Sequence, residues 1–237
     1  MTDGRGRFIA FEGIEGAGKS TQVALLAAAL RRRSFEVVAT FEPGGTALGR
    51  ELREIVMRPT GEPPLPRAEL LLYLAARAQH VAQLIRPALA RGAVVLCDRF
   101  SGSTLAYQGY GRGLDLEMVA RLDAAARDGV WPDLTLLLDC PLEEGLRRAT
   151  GDDRMQRERL AFHRRVRDGF HRLAREDTSW RIVSTDPSRE EVARAVLAAV
   201  DAILPLRRAK TSLTRAGARR ARPAPKRKRS GAASRRR

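Results

Sequence analysis

The segment Arg7-Phe8-Ile9-Ala10-Phe11-Glu12, followed by Gly13-Ile14-Glu15-Gly16-Ala17-Gly18-Lys19-Ser20, decides the fold. The first six residues, apolar from Phe8 to Phe11, read as a short buried strand, and the next eight fit G-x-x-x-x-G-K-[ST] at every fixed position. Glycines let successive backbone N–H groups turn inward toward an anion, and the N-terminus of the helix that follows adds its positive dipole end. Lys19 is then placed for the β- and γ-phosphates of a nucleotide and the Ser20 hydroxyl for Mg²⁺, with Thr21 closing the nucleotide-binding set. Lys19 is also the only lysine before Lys210, although arginine is used throughout. A chain so biased toward arginine keeps lysine where a compact point charge is needed.

Outward from the loop, strand-like and helix-like stretches alternate. Residues 36–41, 93–97, 134–140 and 181–184 read as further strands. A helix is expected after the loop to about Arg33, another over 48–58, a long one over 67–91 and a last one to about Leu204. In the long helix Leu71, Leu74, Ala75, Ala78, Val81, Ala82 and Ile85 are expected to form one core-facing stripe. Short apolar strands separated by helices imply an α/β fold with a five-stranded parallel sheet covered on both faces, in three layers, with ligands beyond the carboxyl ends of the strands.

The net charge of +16 is localised. Residues 207–237 hold 14 Lys and Arg and no acid, which leaves 30 basic and 28 acidic side chains, a net of +2, in residues 1–206. The expected organisation is therefore a nearly neutral domain over 1–206 and a basic tail over 207–237 that cannot bury a core. No apolar run reaches the roughly 18 residues a membrane helix needs. The polar start to Arg7 gives no expectation of a secretory leader. Cys97 and Cys140 end apolar runs, which suggests reduced thiols and a cytoplasmic location.

A GTPase would need an Asn-Lys-x-Asp motif, and the sequence has no asparagine; a motor or helicase would need far more chain. Asp98-Arg99 follows the strand at 93–97, where an acid can hold Mg²⁺ through water and an arginine fork suits a phosphate. Arg53 lies off the apolar face of its helix, and Arg77 shares a helix face with Tyr73 four residues earlier. Phe11-Glu12-Gly13, Glu42-Pro43-Gly44-Gly45-Thr46, Asp98-Arg99-Phe100, Tyr107-Gln108-Gly109 and Pro132-Asp133-Leu134-Thr135 occur in the order and spacing of thymidylate kinases. Over about residues 7–204 the chain resembles that family of P-loop nucleoside-monophosphate kinases.

The resemblance implies transfer of phosphate from ATP to dTMP with Mg²⁺, and a homodimer. It places Arg53, Arg77 and Arg99 around the dTMP phosphate and Tyr73, where the family usually has phenylalanine, stacked on the thymine. Ser103, Thr104 and Gln108 would meet the base edge and Tyr107 the sugar near C2′. Glu15 would meet the acceptor's 3′-hydroxyl and the metal site. Some family members carry a basic residue inside the P-loop and others supply arginine from a lid. Ile14-Glu15-Gly16-Ala17 has none, so the resemblance is to the second kind, with Arg148 and Arg154 in the stretch 147–157 as lid candidates for ATP phosphates and Arg157 near them. Phe41, where an arginine often precedes Glu-Pro-Gly-Gly, and Gln156, where an acid is common, depart from the pattern.

Two alternatives remain open at this level. One is a kinase of the same fold for another nucleoside monophosphate. The other is a nucleic-acid-binding protein acting through its tail, where Lys226-Arg227-Lys228-Arg229 would neutralise phosphates without reading sequence.

Overall fold

A computed structural model describes residues 5–59, 61–149, 154–156 and 158–204. The tail at 207–237, residues 150–153 of the expected lid and Arg157 lie outside the described residues. Five strands, β1 (Arg7–Glu12), β2 (Val37–Phe41), β3 (Val94–Asp98), β4 (Leu134–Asp139) and β5 (Trp180–Ser184), form one parallel sheet in the order β2-β3-β1-β4-β5. The helices are α1 (Lys19–Arg32), α2 (Ala47–Met57), α3 (Pro66–His80), α4 (Arg86–Ala90), α5 (Ser101–Thr104), α6 (Leu116–Arg127), α7 (Leu142–Arg148), α8 (Leu160–Glu176) and α9 (Arg189–Asp201). Wider π-type turns over Val81–Ile85 and Leu105–Gly111 continue α3 into α4 and extend α5.

Alternate residues of β1 supply two cores, because side chains of a strand point to opposite faces. Ile9 and Phe11 join Leu26 and Leu30 of α1, Val166 and Phe170 of α8 and Val196 of α9 on one face. Phe8 and Ala10 join Val81, Ile85, Ala88 and Leu89 on the other. Helices therefore cover both faces of the sheet, as the alternation of strands and helices implied. Asp133 accepts the Phe8 N–H at 2.7 Å and fixes the start of β1 from the side of β4.

The expected stripe on the long helix is corrected by the structure. Leu74, Val81 and Ile85 are buried, but Leu71, Ala75, Ala78 and Ala82 are exposed. The inward face is instead shared by Leu70, Leu74 and Val81 with the buried polar residues Glu69, Arg77 and His80. Hydrophobicity misplaced the inward face because polar groups that pair with residues of other segments occupy it.

The ends of β1 and β3 are locked together by Glu12, which is fully buried. Its carboxylate accepts the Phe100 N–H at 2.9 Å and the Ser103 hydroxyl at 2.6 Å. A Cβ on Gly102 would stand 2.9 Å from that carboxylate and 2.7 Å from Trp180, so only glycine fits this crossing. Burial raises the Glu12 pKa to about 7 against the lowering effect of these hydrogen bonds and of Arg99. Below pH 4.5 the group is protonated in both folded and unfolded chains. Between 4.5 and about 7 the unfolded chain ionises first, so the Glu12 contribution falls as pH rises. Above that window the cost is complete and amounts to roughly 3 kcal/mol. Glu12→Gln removes the titration. Its unfolding free energy relative to wild type is expected to improve across the window and then level off, as read from denaturant midpoints; a difference independent of pH would contradict the assignment.

Candidate active site

The loop between β1 and α1 begins where Gly13 leaves the sheet at φ 138°. Gly16 (φ 69°) packs so tightly that a Cβ would lie 1.9 Å from the Gly145 carbonyl in the middle of α7. Both positions need glycine for backbone angle and for space. The loop wraps the Lys19 ammonium, which donates to the carbonyls of Gly13 (3.0 Å) and Ile14 (2.7 Å). Burial and then the charge of Arg99 push the Lys19 pKa down to about 8, opposed by Asp98, Glu15 and Glu12. Lys19 is thus a cation at neutral pH, held by neutral carbonyls that a phosphate can replace as partner.

Glu15, Gly16, Ala17, Gly18, Lys19, Ser20 and Thr21 line a cleft of about 1200 Å³, while Gly13 and Ile14 are buried behind it. Arg53, Asp98, Arg99, Arg148 and Gln156 also line this cleft. At its floor the Ser20 hydroxyl donates to Asp98 Oδ2 at 2.5 Å. This pair brings one carboxylate and one hydroxyl to the edge of the phosphate cradle. Such hard oxygen donors suit Mg²⁺, which keeps several waters and draws its other ligands from phosphates.

A small second cavity of about 40 Å³ lies beside the cleft, lined by Tyr73, Arg77, Ser103, Thr104, Tyr107 and Gln108 among others. Glu15 and Arg99 line both spaces. Arg99 donates to the Gly13 carbonyl at 3.0 Å, to Ser103 at 3.2 Å and to Glu15 Oε1 at 3.2 Å. The Tyr107 hydroxyl donates to Glu15 Oε1 at 2.6 Å, and the Arg99 guanidinium lies 5.1 Å from the Tyr107 ring centre. Burial opposes ionisation of Glu15, but Arg99, Lys19 and the Tyr107 hydrogen bond outweigh it and hold its pKa below the usual value. For Tyr73, burial and then the charge of Glu69 raise the phenol pKa, so the ring stays neutral.

The three arginines expected around one phosphate divide. Arg53 donates to the Pro43 carbonyl at 3.2 Å and faces the large cleft with Arg99. Arg77 faces only the small cavity. Its fork is engaged by Glu42 (2.8 Å), by Thr104 (2.8 Å) and by Asp123. His80 completes this buried group, with Nδ1 at 2.8 Å from Glu42 and Nε2 at 2.8 Å from Thr40. The lid candidates divide as well. Arg148 lines the cleft and donates to Glu144 at 2.6 Å. Arg154 points away, donating to the Val56 carbonyl at 3.0 Å and to Glu69.

Sequence reasoning did not single out Glu69, Asp123, Arg112 or His163. His163 is fully buried, and among the described residues neither its ring nitrogens nor Glu15 Oε2, 3.7 Å from Nδ1, has a hydrogen-bond partner. The only signal for Glu69 was its spacing, one and two helical turns before Tyr73 and Arg77.

A family model for thymidylate kinase matches residues 11–196. A thymidylate kinase of Synechococcus sp. (strain JA-2-3B'a(2-13)) is 54% identical over 201 residues, covering 84% of this chain and 96% of its own. One from Halothermothrix orenii is 50% identical over 198 residues, covering 81% of this chain and 95% of its own. The crystal structure of thymidylate kinase from Ehrlichia chaffeensis gives a TM-score of 0.69 at 34% identity, covering 83% of this chain and 99% of that one. The matched residues take in every side chain that lines the two cavities. The chain belongs to the thymidylate kinase family.

Proposed function

We propose that this chain binds ATP in the large cleft and dTMP in the small cavity, and transfers the γ-phosphoryl group in line between them. The observation that carries this reading is that Glu15 and Arg99 line both spaces, so donor and acceptor phosphates meet at one wall. An oxygen of the dTMP phosphate forms the new P–O bond as the bond from the γ-phosphorus to the β–γ bridging oxygen breaks, leaving dTDP and ADP. Such a transfer needs alignment and cationic compensation more than covalent help.

In this reading Lys19 exchanges the loop carbonyls for β- and γ-phosphate oxygens, and Gly13 to Thr21 supply the cradle. Ser20 and Asp98 hold Mg²⁺, which when bound neutralises phosphate charge. Arg99 and Arg53 take the acceptor phosphate, and Arg148 approaches the transferring group from the lid side. Arg77 serves the base end of dTMP together with Thr104, Ser103 and Gln108, because its fork opens there and not into the cleft. Tyr73 stacks on the thymine. Tyr107, held against Glu15, crowds C2′, and Glu15 accepts from the 3′-hydroxyl.

A homodimer is supported by the outward stripe of Leu71, Ala75 and Ala78 on α3, and by exposed Leu48 and Ile55 on α2, which packs against α3. Both cysteines are buried free thiols, in keeping with a reduced, cytoplasmic setting. Among the described residues no helix is long and apolar enough to cross a membrane. The basic tail at 207–237 contributes non-specific contacts to nucleic acid and is separate from the chemistry of 1–206.

ADP release with ATP, Mg²⁺ and each common nucleoside monophosphate in turn tests the assignment. Turnover is expected with dTMP and to vanish in Lys19→Ala. Lys19-dependent turnover with a different acceptor alone would overturn the roles given to Ser103, Thr104, Tyr107 and Gln108. For the tail, a chain ended after Leu206 is expected to keep its turnover while losing salt-sensitive retention on DNA. Loss of turnover in the shortened chain would show that the catalytic domain is not self-sufficient.

A further inference from the structure

Glu69 stands on the first turn of α3, fully buried, and its two oxygens collect four N–H donors from two other parts of the chain. Gln108 Nε2 donates to Oε1 at 2.8 Å. Arg112 donates through Nε to Oε1 and through Nη2 to Oε2, each at 3.2 Å. Arg154 donates to Oε2. Gln108 and Arg112 belong to the segment that follows β3, and Gln108 lines the small cavity. Arg154 belongs to the stretch between α7 and α8, and its backbone N–H and Nε also reach the Met57 and Val56 carbonyls at the end of α2. Arg112 adds a second tie to that stretch, donating through Nη1 to Glu158 at 2.5 Å. One buried carboxylate thus joins an acceptor-pocket side chain directly to Arg154 and, through Arg112, to Glu158. It touches neither cavity itself.

We propose that Glu69 is a positioning residue, a latch that holds Arg154, and with it Met155, against the dTMP pocket and so couples the placement of these two residues to acceptor binding. This rests on the functional reading above. The two guanidinium groups share Glu69, with Glu158 as a second acid on Arg112, and Arg112 and Arg154 are each only 14% exposed. Removing the carboxylate takes from Arg154 the acid it is paired with and leaves Arg112 to Glu158 alone, in a water-poor site where breaking a buried pair is costly. Gln108 loses its acceptor at the same time, so its amide is no longer oriented in the pocket. Arg154, released from Glu69, no longer holds Met155, which lines both cavities. A carboxylate that served packing alone would change stability and leave the balance between substrates untouched.

Steady-state kinetics with each substrate varied separately decide this. Glu69→Gln keeps the volume, removes the charge and turns an amide toward an arginine. It is expected to raise KM for dTMP roughly 10- to 100-fold and to lower kcat, the scale of a misplaced pocket, with KM for ATP changed far less. Arg154→Met is expected to move the same two constants in the same direction. The double variant is expected to be no worse than the poorer single, because both substitutions cut one link. Arg154→Lys, which retains a donor, is expected to recover part of the loss. Additive losses, or an Arg154→Met enzyme with wild-type KM for dTMP, would overturn the latch. The latter arm decides even if Glu69→Gln does not fold. Absence of dTMP turnover in the wild-type chain would be a different failure, sinking the functional reading first and the latch with it.

Discussion

The side chain of Arg99 is the constraint on which the site depends. It sits at the end of β3 with φ at 69°, a left-handed conformation that a non-glycine residue adopts at a cost of about 1–3 kcal/mol. The neighbouring backbone holds it there, since the Arg99 N–H donates to the Phe11 carbonyl at 2.8 Å. From this position the guanidinium turns back across the sheet to the Gly13 carbonyl and Glu15, and forward to Ser103. The glycine-rich loop after β1 and the segment after β3 that lines the small cavity are thereby fixed to each other by one planar cation. An extended backbone at Arg99 would send the side chain elsewhere and separate the two cavities.

Around this cation the chain places buried carboxylates, each matched to donors. Glu12 accepts from Phe100 and Ser103, Glu42 pairs with Arg77 and His80, and Glu69 with Gln108, Arg112 and Arg154. Buried ion pairs of this kind contribute little net stability compared with apolar packing, but losing one partner is costly. Their value here lies in geometry. Each carboxylate connects helices that line the cavities, so pocket shape is set by polar contacts with few alternative arrangements, while the apolar cores on either face of the sheet supply most of the stability.

The sheet, its strands and the loop were legible in the sequence because each rests on a local pattern. Residues 8–11, 93–97 and 136–138 are uninterrupted apolar runs, and the loop requires its glycines and Lys19 in fixed order. Strand bounds agree with expectation to within a residue or so, whereas α6 was not anticipated. The long helix misled for an instructive reason. Its inward face mixes Leu70, Leu74 and Val81 with Glu69, Arg77 and His80, so apolar spacing alone does not mark it, and the partners from distant segments reveal which face is buried. The same limit applies to Arg77 and Arg154. An arginine on a helix or in a lid has the chemistry for a phosphate, but the carboxylates at 42, 69 and 123 that engage these two lie from 35 to 85 residues away in sequence. Arg77 lies four residues after Tyr73, as the spacing implied, and both side chains line the small cavity.

The central claim is that the two cavities form one reaction chamber joined at Arg99 and Glu15. Calorimetric titration with a bisubstrate analogue, adenosine and thymidine linked 5′ to 5′ through a polyphosphate, addresses it most directly. One analogue per active site, displacing ATP and dTMP together and weakened by Arg99→Met, is the result the shared wall requires. An analogue that displaces only one of the two nucleotides, or that binds Arg99→Met as tightly as wild type, would contradict it.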